Sequence, residues 1–364
     1  MVNLFLCGDV MTGRGVDQIL PHPSAPEIFE PYVRDAGEYV RLAEAASGPI
    51  HRPVPPDYIW GDALEELAWS GRDARIIGLE TSVTTRNDCW TRKRITYRMH
   101  PDNIACLTAA RIDACVLANN HVLDYGFAGL EETLSTLTGS GLKIAGAGRN
   151  LTEARRPAII DLPNAGRVVV FAFGTRSSGI PPAWGATPDR AGVELLDDLS
   201  PTTADRIIQH VDQLRCGGDI VVASIHWGGN WGYEVPRAHV QFAHRLIDGG
   251  IDLVHGHSSH HPRPIEVYRK KLVLYGCGDF IDDYEGITGF EEFRNDLVLM
   301  YLPAIDPRNG ELLRLRMTPL RIQRIRLNRA SAADAAWLRD TLQRVSCEFG
   351  TAVALAPDGA LMLC

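Results

Sequence analysis

The sequence predicts an α/β layered fold, in which short strands alternate with helices. Runs rich in β-branched residues alternate along the chain with stretches of helical period. Hydrophobic residues make up 45% of the 364 residues, enough for a sizeable core. Polar residues follow several of the predicted strands directly, and that edge is where open α/β sheets bind ligands. We expect a single domain over residues 1–364.

The predicted elements follow from hydrophobic period and from breaker residues. Ten strands are predicted, at residues 2–7, 74–79, 114–117, 143–145, 167–173, 220–225, 253–255, 265–268, 272–275 and 297–302. Six helices are predicted, at 27–46, 63–69, 102–110, 128–138, 202–214 and 237–248. Pro236 precedes the last of these and suits a first helical turn. Residues 306–364 are expected to add a closing strand and a helix to the same domain.

Charge and cysteine content exclude several classes of protein. The formal net charge is −8, and the absence of a basic block argues against nucleic acid or an anionic membrane as a partner. The sequence has neither a charged leader nor an apolar run of spanning length, so we expect a cytoplasmic protein without a membrane anchor. The eight cysteines form no CxxC pair, which argues against a zinc ribbon or a disulfide scaffold.

Histidines cluster after one predicted strand. Residues 255–261 read His-Gly-His-Ser-Ser-His-His and follow the apolar run 251–254. Imidazole is the commonest metal ligand among side chains and titrates near neutral pH, so this cluster predicts metal binding, proton transfer or both. The alternative is a loop of solvated histidines.

Other strand ends carry acids, amides and histidines. Asp9 follows the first strand, Glu80 the second, Asn120 and His121 the third, and His226 a later one. Asp124 and Asp279 lie in the same kind of position. Because the carboxyl ends of parallel strands meet at one edge, we expect these groups to converge, which core packing alone would rarely produce.

The order of these motifs resembles the CapA family of the calcineurin-like metallophosphoesterase superfamily. The resemblance rests on Gly8-Asp9-Val10-Met11-Thr12-Gly13-Arg14, Asn119-Asn120-His121, His226-Trp227-Gly228 and Gly256-His257-Ser258-Ser259-His260, and spans most of residues 2–305. It implies a double β-sheet sandwich flanked by helices, with a metal centre at the strand ends. It also implies a general acid or base at His121 and metal ligands at Asp9, Glu80, Asn120, His226, His257 and His260.

Three departures from the superfamily pattern bear on the metal. Asp9-Val10-Met11 stands where the phosphoesterases have Asp-x-His, Glu80 replaces a bridging Asp, and the Gly-His-x-His spacing is one residue wider. One imidazole is therefore missing from a dinuclear site. These changes favour an oxygen-rich pocket with a hard divalent cation, Ca²⁺, Mg²⁺ or Mn²⁺, at one or two positions.

The predicted site has groups for acid–base chemistry and for binding a peptide. A carboxylate beside an imidazole holds one tautomer and stabilises the charged form. The candidate catalytic residues are Asp9, His121, Asp124, His226, His257 and Asp279. Arginine suits a peptide carboxylate, and tryptophan suits an aromatic pocket. The candidate substrate-binding residues are Arg14, Lys93, Arg94, Arg98, Trp227 and Trp231. A solvated surface for the basic residues and a core role for the tryptophans are the alternatives.

These features favour a metal-dependent enzyme that modifies a peptide substrate. The chain resembles unanchored CapA-like proteins of ribosomal peptide modification, and the resemblance implies epimerisation of the C-terminal residue of a lasso-peptide precursor. Two alternatives remain open. One is metal-dependent hydrolysis of a phosphoester, or of a γ-glutamyl or other amide bond in capsule metabolism. The other is a non-catalytic protein that binds a polymer.

Overall fold

The computed structural model describes residues 1–69, 71, 73–91, 93–163 and 166–364. Its strands are β1 (Val2–Val10), β2 (Ala74–Leu79), β3 (Ser82–Val83), β4 (Arg98–Met99), β5 (Ala114–Val116), β6 (Lys143–Ala145), β7 (Ala147–Gly148), β8 (Ala158–Leu162), β9 (Gly166–Thr175), β10 (Gly192–Val193), β11 (Leu195–Leu196), β12 (Ile220–His226), β13 (Leu253–His257), β14 (Ile265–Tyr268), β15 (Lys271–Leu274), β16 (Asp279–Ile281), β17 (Leu297–Ile305), β18 (Leu312–Ile322), β19 (Leu327–Arg329), β20 (Val353–Leu355) and β21 (Leu361–Leu363). Its α-helices are α1 (Gly15–Ile19), α2 (Gly37–Ser47), α3 (Ala63–Trp69), α4 (Ala105–Ala109), α5 (Gly126–Gly139), α6 (Leu151–Ala154), α7 (Pro201–Leu214), α8 (Arg237–Asp248) and α9 (Ala332–Ser346).

Two large sheets form the centre of the fold. The first has the order β20-β21-β18-β17-β1-β2-β5-β6, with β16 beside β1 and β19 beside β18. The second has the order β11-β9-β12-β13-β15-β14, with β8 beside β9. Strands β1, β2, β5 and β6 run parallel, as do β9, β12, β13 and β15. Each sheet therefore has a parallel half whose carboxyl ends share one edge.

The side chains between the sheets form one core, and the two outer faces form two more. Leu4 and Leu6 of β1 pack with Val222 of β12 and Leu253 of β13 in the inner core. Phe5, which alternates with them, points to the outer face that the helices cover. The outer face of the second sheet packs against α7 and α8. This layering confirms the predicted α/β class.

Most predicted elements are confirmed, and two predicted helices are wrong in part. The strands at 74–79 and 265–268 and the helices at 63–69 and 237–248 have the predicted limits. The helix predicted at 27–46 begins only at Gly37, because Pro31 cannot lie inside a helix. The helix predicted at 102–110 divides into a 3₁₀ turn, Pro101–Asn103, and α4.

The segment after residue 306 contains more than the one strand and one helix predicted there. Strand β18 pairs with β17 and continues the first sheet, and β19, β20 and β21 extend it further. Helix α9 places Leu338 and Leu342 in the inner core. Among the helices in the described part of the chain, none combines the length and apolar character needed to cross a bilayer.

Candidate metal and acid–base site

Three strand ends bring a carboxylate and two imidazoles together. Asp9 comes from β1, and His226 and His257 are paired residues on the neighbouring strands β12 and β13. His257 Nδ1 lies 2.9 Å from Asp9 Oδ1 and 2.9 Å from His226 Nδ1. His226 Nδ1 lies 3.7 Å from Asp9 Oδ1. All three side chains are buried, so the cluster lies between the two sheets rather than on the surface.

Two features of the backbone orient Asp9 and leave space beside the cluster. The Ser258 N–H donates a 2.8 Å hydrogen bond to Asp9 Oδ2, which leaves Oδ1 for the imidazoles. Gly78 of β2 lies against the cluster, and a Cβ there would stand 3.0 Å from Asp9 Oδ1 and 3.4 Å from His257 Nδ1. Glycine at this position therefore preserves the space beside two of the converging atoms.

These residues fit a divalent metal ion. Asp9, His226 and His257 each offer one ligand atom, and all three atoms lie within 4.8 Å of one another. A set of two imidazoles and one carboxylate suits Mn²⁺, Fe²⁺ or Zn²⁺ better than Ca²⁺ or Mg²⁺, which prefer oxygen ligands. Of the predicted cations, Mn²⁺ therefore fits these three residues best.

Burial and neighbouring charges shape the ionisation of this region. Burial alone would raise the pKa of Asp9, but His257 and His226 outweigh it and hold the pKa of that carboxyl well below its usual range. Burial lowers the pKa of His226 despite the opposing effect of Asp9. Burial, then the charges of Asp9 and Asp279, raise the pKa of Glu80 well above its usual range. The low pKa of Asp9 favours metal binding, because a carboxylate must be ionised to act as a ligand.

The other three predicted ligands surround this cluster without joining it. Asn120 Oδ1 lies 3.0 Å from His226 Nε2, on the far side of that ring from Asp9. Glu80 Oε1 lies 3.9 Å from His226 Nε2. His260 Nδ1 lies 2.9 Å from an oxygen of Asp279. The structure thus places all three within the same site, and their role as ligands stays a prediction.

Two imidazole–carboxylate pairs flank the cluster. His121 Nδ1 lies 2.6 Å from Asp124 Oδ2, and the Lys93 ammonium contacts both residues. Burial lowers the pKa of His121 to about 4, despite Asp124. Burial also tends to lower the pKa of His260, but Asp279 outweighs it and that pKa is raised. The two imidazoles therefore differ in basicity. His121 loses its proton more readily than an ordinary histidine, and His260 holds its proton more tightly.

Three of the four predicted basic contacts to substrate have partners inside the protein. Arg14 is buried and donates to Asp283 and, at 2.9 Å, to Glu30. Arg98 donates to the Arg86 carbonyl, the Asn87 side chain and the Ala25 carbonyl, at 2.7, 2.6 and 3.0 Å. Lys93 belongs to the His121–Asp124 pair. The structure thus gives these three internal partners and leaves Arg94 exposed, and their contact with a substrate stays a prediction.

The two predicted tryptophan contacts differ from each other. Trp227 is buried, donates its indole N–H to the Tyr275 carbonyl at 3.0 Å and stacks on His239, so it has the core role that was the alternative. Trp231 is only partly buried and stacks on Phe290 with ring centroids 4.0 Å apart. Its ring also lies 5.3 Å from that of His260. Trp231 is therefore the one of the two with accessible surface beside His260, and its contact with a substrate stays a prediction.

Some residues of the site were given no role of their own from the sequence. His255 belongs to the predicted histidine cluster, and Ser224 was missed. Both lie next to His257, and strand alternation could have identified Ser224, because residues two apart share a face. Tyr97 packs edge-on to His121 at 4.4 Å and its hydroxyl lies 2.7 Å from that of Tyr284. These tyrosines come from loops, where no period in the sequence indicates which way a side chain points.

Comparisons with known proteins support the family. The sequence model of the bacterial capsule synthesis protein PGA_cap matches residues 3–284. A "probable polyglutamine synthesis accessory protein" of Mycobacterium tuberculosis is 51% identical over 99% of this chain and 95% of its own length. The "PGA biosynthesis protein CapA" of Bacillus subtilis is 26% identical over 81% of this chain and 66% of its own length. The "capsule biosynthesis protein CapA" of Bacillus anthracis is 22% identical over 88% of this chain and 68% of its own length. The chain therefore belongs to the PGA_cap family of CapA-like proteins.

Proposed function

We propose that this protein is a metal-dependent enzyme that hydrolyses an amide bond in a glutamyl or related peptide chain. The observation that carries the proposal is the convergence of Asp9 Oδ1, His226 Nδ1 and His257 Nδ1 at the strand ends. The names of the relatives support the substrate class, because they refer to polyglutamine and PGA synthesis. The two-sheet layering is what a calcineurin-like metallohydrolase would have, and that assignment is part of the proposal.

The chemistry needs a Lewis acid, a proton donor and a shielded site. A divalent cation supplies Lewis acidity, since it polarises a carbonyl and makes nearby water more acidic. Asp9, His226 and His257 would hold it. The His121 ring is neutral and has Nδ1 engaged by Asp124, so its Nε2, 3.7 Å from Glu80 Oε1, is the atom that would take a proton from the attacking water and pass it to the leaving amine. Trp231 would contact the chain of the substrate.

A second candidate reaction is epimerisation of the C-terminal residue of a peptide such as a lasso-peptide precursor. It needs one proton-accepting and one proton-donating group on opposite faces of a carbon. The observation that favours it is the presence of two separate pairs, His121 with Asp124 and His260 with Asp279. In this reaction both pairs exchange protons, whereas hydrolysis needs only one of them.

One experiment separates these reactions. The protein is incubated with Mn²⁺ in D₂O with α- and γ-linked glutamyl oligomers, with peptides ending in an aromatic residue, and with a simple phosphate ester. Mass spectrometry and chiral amino-acid analysis then report the products. Shortened oligomers support the proposal. Incorporation of one deuteron together with a D-residue supports epimerisation, and release of phosphate supports a phosphoesterase.

The controls decide whether any turnover belongs to this site. Asp9→Asn should abolish the activity, because it removes the carboxylate of the cluster. Asp161→Asn changes an exposed aspartate of β8 in the same way and should leave the activity intact. Oligomer binding without turnover by the Mn²⁺-loaded protein would overturn both reactions and leave a polymer-binding protein.

A further inference from the structure

We propose that Ser224 and His255 are positioning residues that keep a proton on His257 Nε2, so that His257 Nδ1 presents a lone pair to a cation. The inference rests on the proposed function in one respect, since it takes Asp9, His226 and His257 as the metal centre. It concerns two residues that have no part in the reaction itself. Its basis is a chain of hydrogen bonds in which each donor is determined by the previous one.

The chain begins at a group that can only accept. His255 Nε2 lies 2.7 Å from the backbone carbonyl oxygen of Cys7. The pairing of β1 with β2 shifts register between Leu6 and Asp9, so Cys7 stands at an irregular point of the ladder. Such irregularities redirect backbone groups. Because a carbonyl has no proton to give, His255 Nε2 must carry the hydrogen and donate it across the gap between the sheets.

The next two steps follow from the valence of each group. His255 is fully buried, and its other nitrogen, Nδ1, lies 3.0 Å from the Ser224 hydroxyl. A neutral imidazole has one N–H, so His255 Nδ1 accepts and Ser224 donates. The Ser224 oxygen also lies 3.0 Å from His257 Nε2. Since the only proton of Ser224 is already used, His257 Nε2 must be the donor in this contact.

The opposite assignment carries a large cost. If His257 Nε2 accepted from Ser224, then Ser224 would have to accept from His255 Nδ1. His255 would then carry protons on both nitrogens and be a cation, with a carbonyl and a hydroxyl as its only hydrogen-bond partners among the described residues. A buried charge without a countercharge in contact is strongly disfavoured.

The result explains the geometry on the metal side of His257. Its Nδ1 faces Asp9 Oδ1, which can only accept, so without a cation a proton bridges these two atoms. His226 Nδ1 is turned to the same place, because His226 Nε2 faces the Asn120 side-chain oxygen at 3.0 Å. A cation that displaced this proton would meet Asp9 Oδ1 and both Nδ1 atoms, while the proton on His257 Nε2 stayed in place. Partners that hold the remote nitrogen of a ligating histidine fix its tautomer and increase its basicity.

The decisive measurement is the ¹⁵N spectrum of the histidine rings in the full-length protein. It is recorded metal-free at pH 8 and after loading with Zn²⁺, which is diamagnetic. We expect a proton on His257 Nε2 in both states. A neutral His257 with its proton on Nδ1, or a Zn²⁺-bound ring without a proton on Nε2, would overturn the inference. Because no turnover is measured, this result is independent of which reaction the protein catalyses.

Variants add a second readout, the affinity for Mn²⁺ measured by electron paramagnetic resonance of the free ion. Ser224→Ala removes the link and should weaken Mn²⁺ binding about 10–100-fold, with mixed tautomers at His257. Ser224→Thr keeps a hydroxyl and should restore binding. Ser346→Ala is the matched control, because Ser346 is equally buried and its hydroxyl oxygen accepts from the Ile265 N–H, away from the histidines.

Each outcome is informative. Unchanged Mn²⁺ affinity and an unchanged His257 spectrum in Ser224→Ala would contradict the positioning role. Equal losses in Ser224→Ala and Ser346→Ala would also contradict it, since they would indicate general destabilisation. If Ser224→Ala does not fold, the wild-type spectrum alone decides. If wild-type protein binds no Mn²⁺, the proposed function fails, while the metal-free spectrum still tests the relay.

Discussion

Two buried clusters of charged residues lie close together in this protein, and their hydrogen bonding differs. In the first, which we call the Arg14 network, Arg14 donates to Asp283 and Glu30, and Tyr39 donates to Glu30. The guanidinium also lies 3.8 Å from the centre of the Tyr39 ring. Among the described residues, both carboxylates receive hydrogen bonds, and each nitrogen of the Arg14 guanidinium has a carboxylate acceptor. This cluster is complete without any ligand.

The second cluster is the Asp9–His226–His257 centre, which has acceptors in excess. Its outer nitrogens are satisfied by Ser224 and Asn120, and its inner atoms face one another. Buried charge alone therefore does not identify a functional site. The useful criterion is whether the donors and acceptors balance, and substitutions in each cluster test that criterion.

The largest effect is expected from Asp9→Asn. Loss of the carboxylate should weaken Mn²⁺ binding by about 100-fold or more. This loss exceeds the one expected for a residue that only hydrogen-bonds to a ligand, such as Ser224. At a metal concentration of about 100 Kd, wild-type protein should gain about 2.7 kcal/mol in the free energy of unfolding, and the variant should gain almost nothing. Thermal unfolding with and without Mn²⁺ measures this. Equal stabilisation of both proteins by Mn²⁺ would mean that the metal binds at a site other than Asp9.

The second effect concerns a group that should transfer protons without holding the metal. His121→Gln should reduce kcat by about 10²–10⁴-fold, the usual contribution of a general acid or base. Mn²⁺ affinity should stay close to that of wild-type protein, because His121 is not among the three converging ligands. Kinetics on a cleaved glutamyl oligomer and Mn²⁺ titration measure the two quantities. A parallel loss of Mn²⁺ binding would make His121 a ligand.

The third effect should have the opposite pattern. Arg14→Met leaves Asp283 and Glu30 buried without their cation and should lower the free energy of unfolding by about 3–5 kcal/mol. Mn²⁺ affinity of the folded protein should not change. Arg41→Met is the matched control, since Arg41 pairs with Glu38 on the surface and should cost no more than about 1 kcal/mol. A small loss in Arg14→Met would indicate that Arg14 is available to a ligand after all.

The sequence predicted the strand ends well because their signals are local. The apolar runs before Asp9, His226 and His257 define buried strands, and parallel strands bring their carboxyl ends to one edge. The positions of these residues could thus be inferred before any coordinates. The atoms that face each other could not be inferred from the sequence. Their contacts depend on how β1 of the first sheet packs against β12 and β13 of the second sheet.

The basic residues were harder to assign for a related reason. Arg14 and Arg98 are residues of a type that binds a substrate carboxylate. Their partners Asp283 and Asn87, however, lie 269 and 11 residues away in the chain. Nothing in a local pattern distinguishes an arginine that waits for a ligand from one that already has a carboxylate. Loops such as the one carrying Tyr284 lack any period, so their contribution to the site was also missed.

The smallest effect tests a buried histidine that belongs to neither cluster. His239 stacks on Trp227 at 4.5 Å, and burial followed by the charge of Arg263 lowers its pKa to about 4. Because the unfolded chain has a pKa near 6.5 at this residue, unfolding takes up a proton between these values. His239 therefore favours the folded state fully above pH 6.5, and as the pH falls towards 4 this contribution is lost, on the order of 3 kcal/mol.

His239→Phe should flatten the pH dependence of the free energy of unfolding in this window, measured by urea denaturation, while His51→Phe on the surface should not. An unchanged slope in His239→Phe would mean that His239 takes up its proton equally well in the folded and unfolded protein, and that an imidazole stacked on Trp227 can carry charge beside this site.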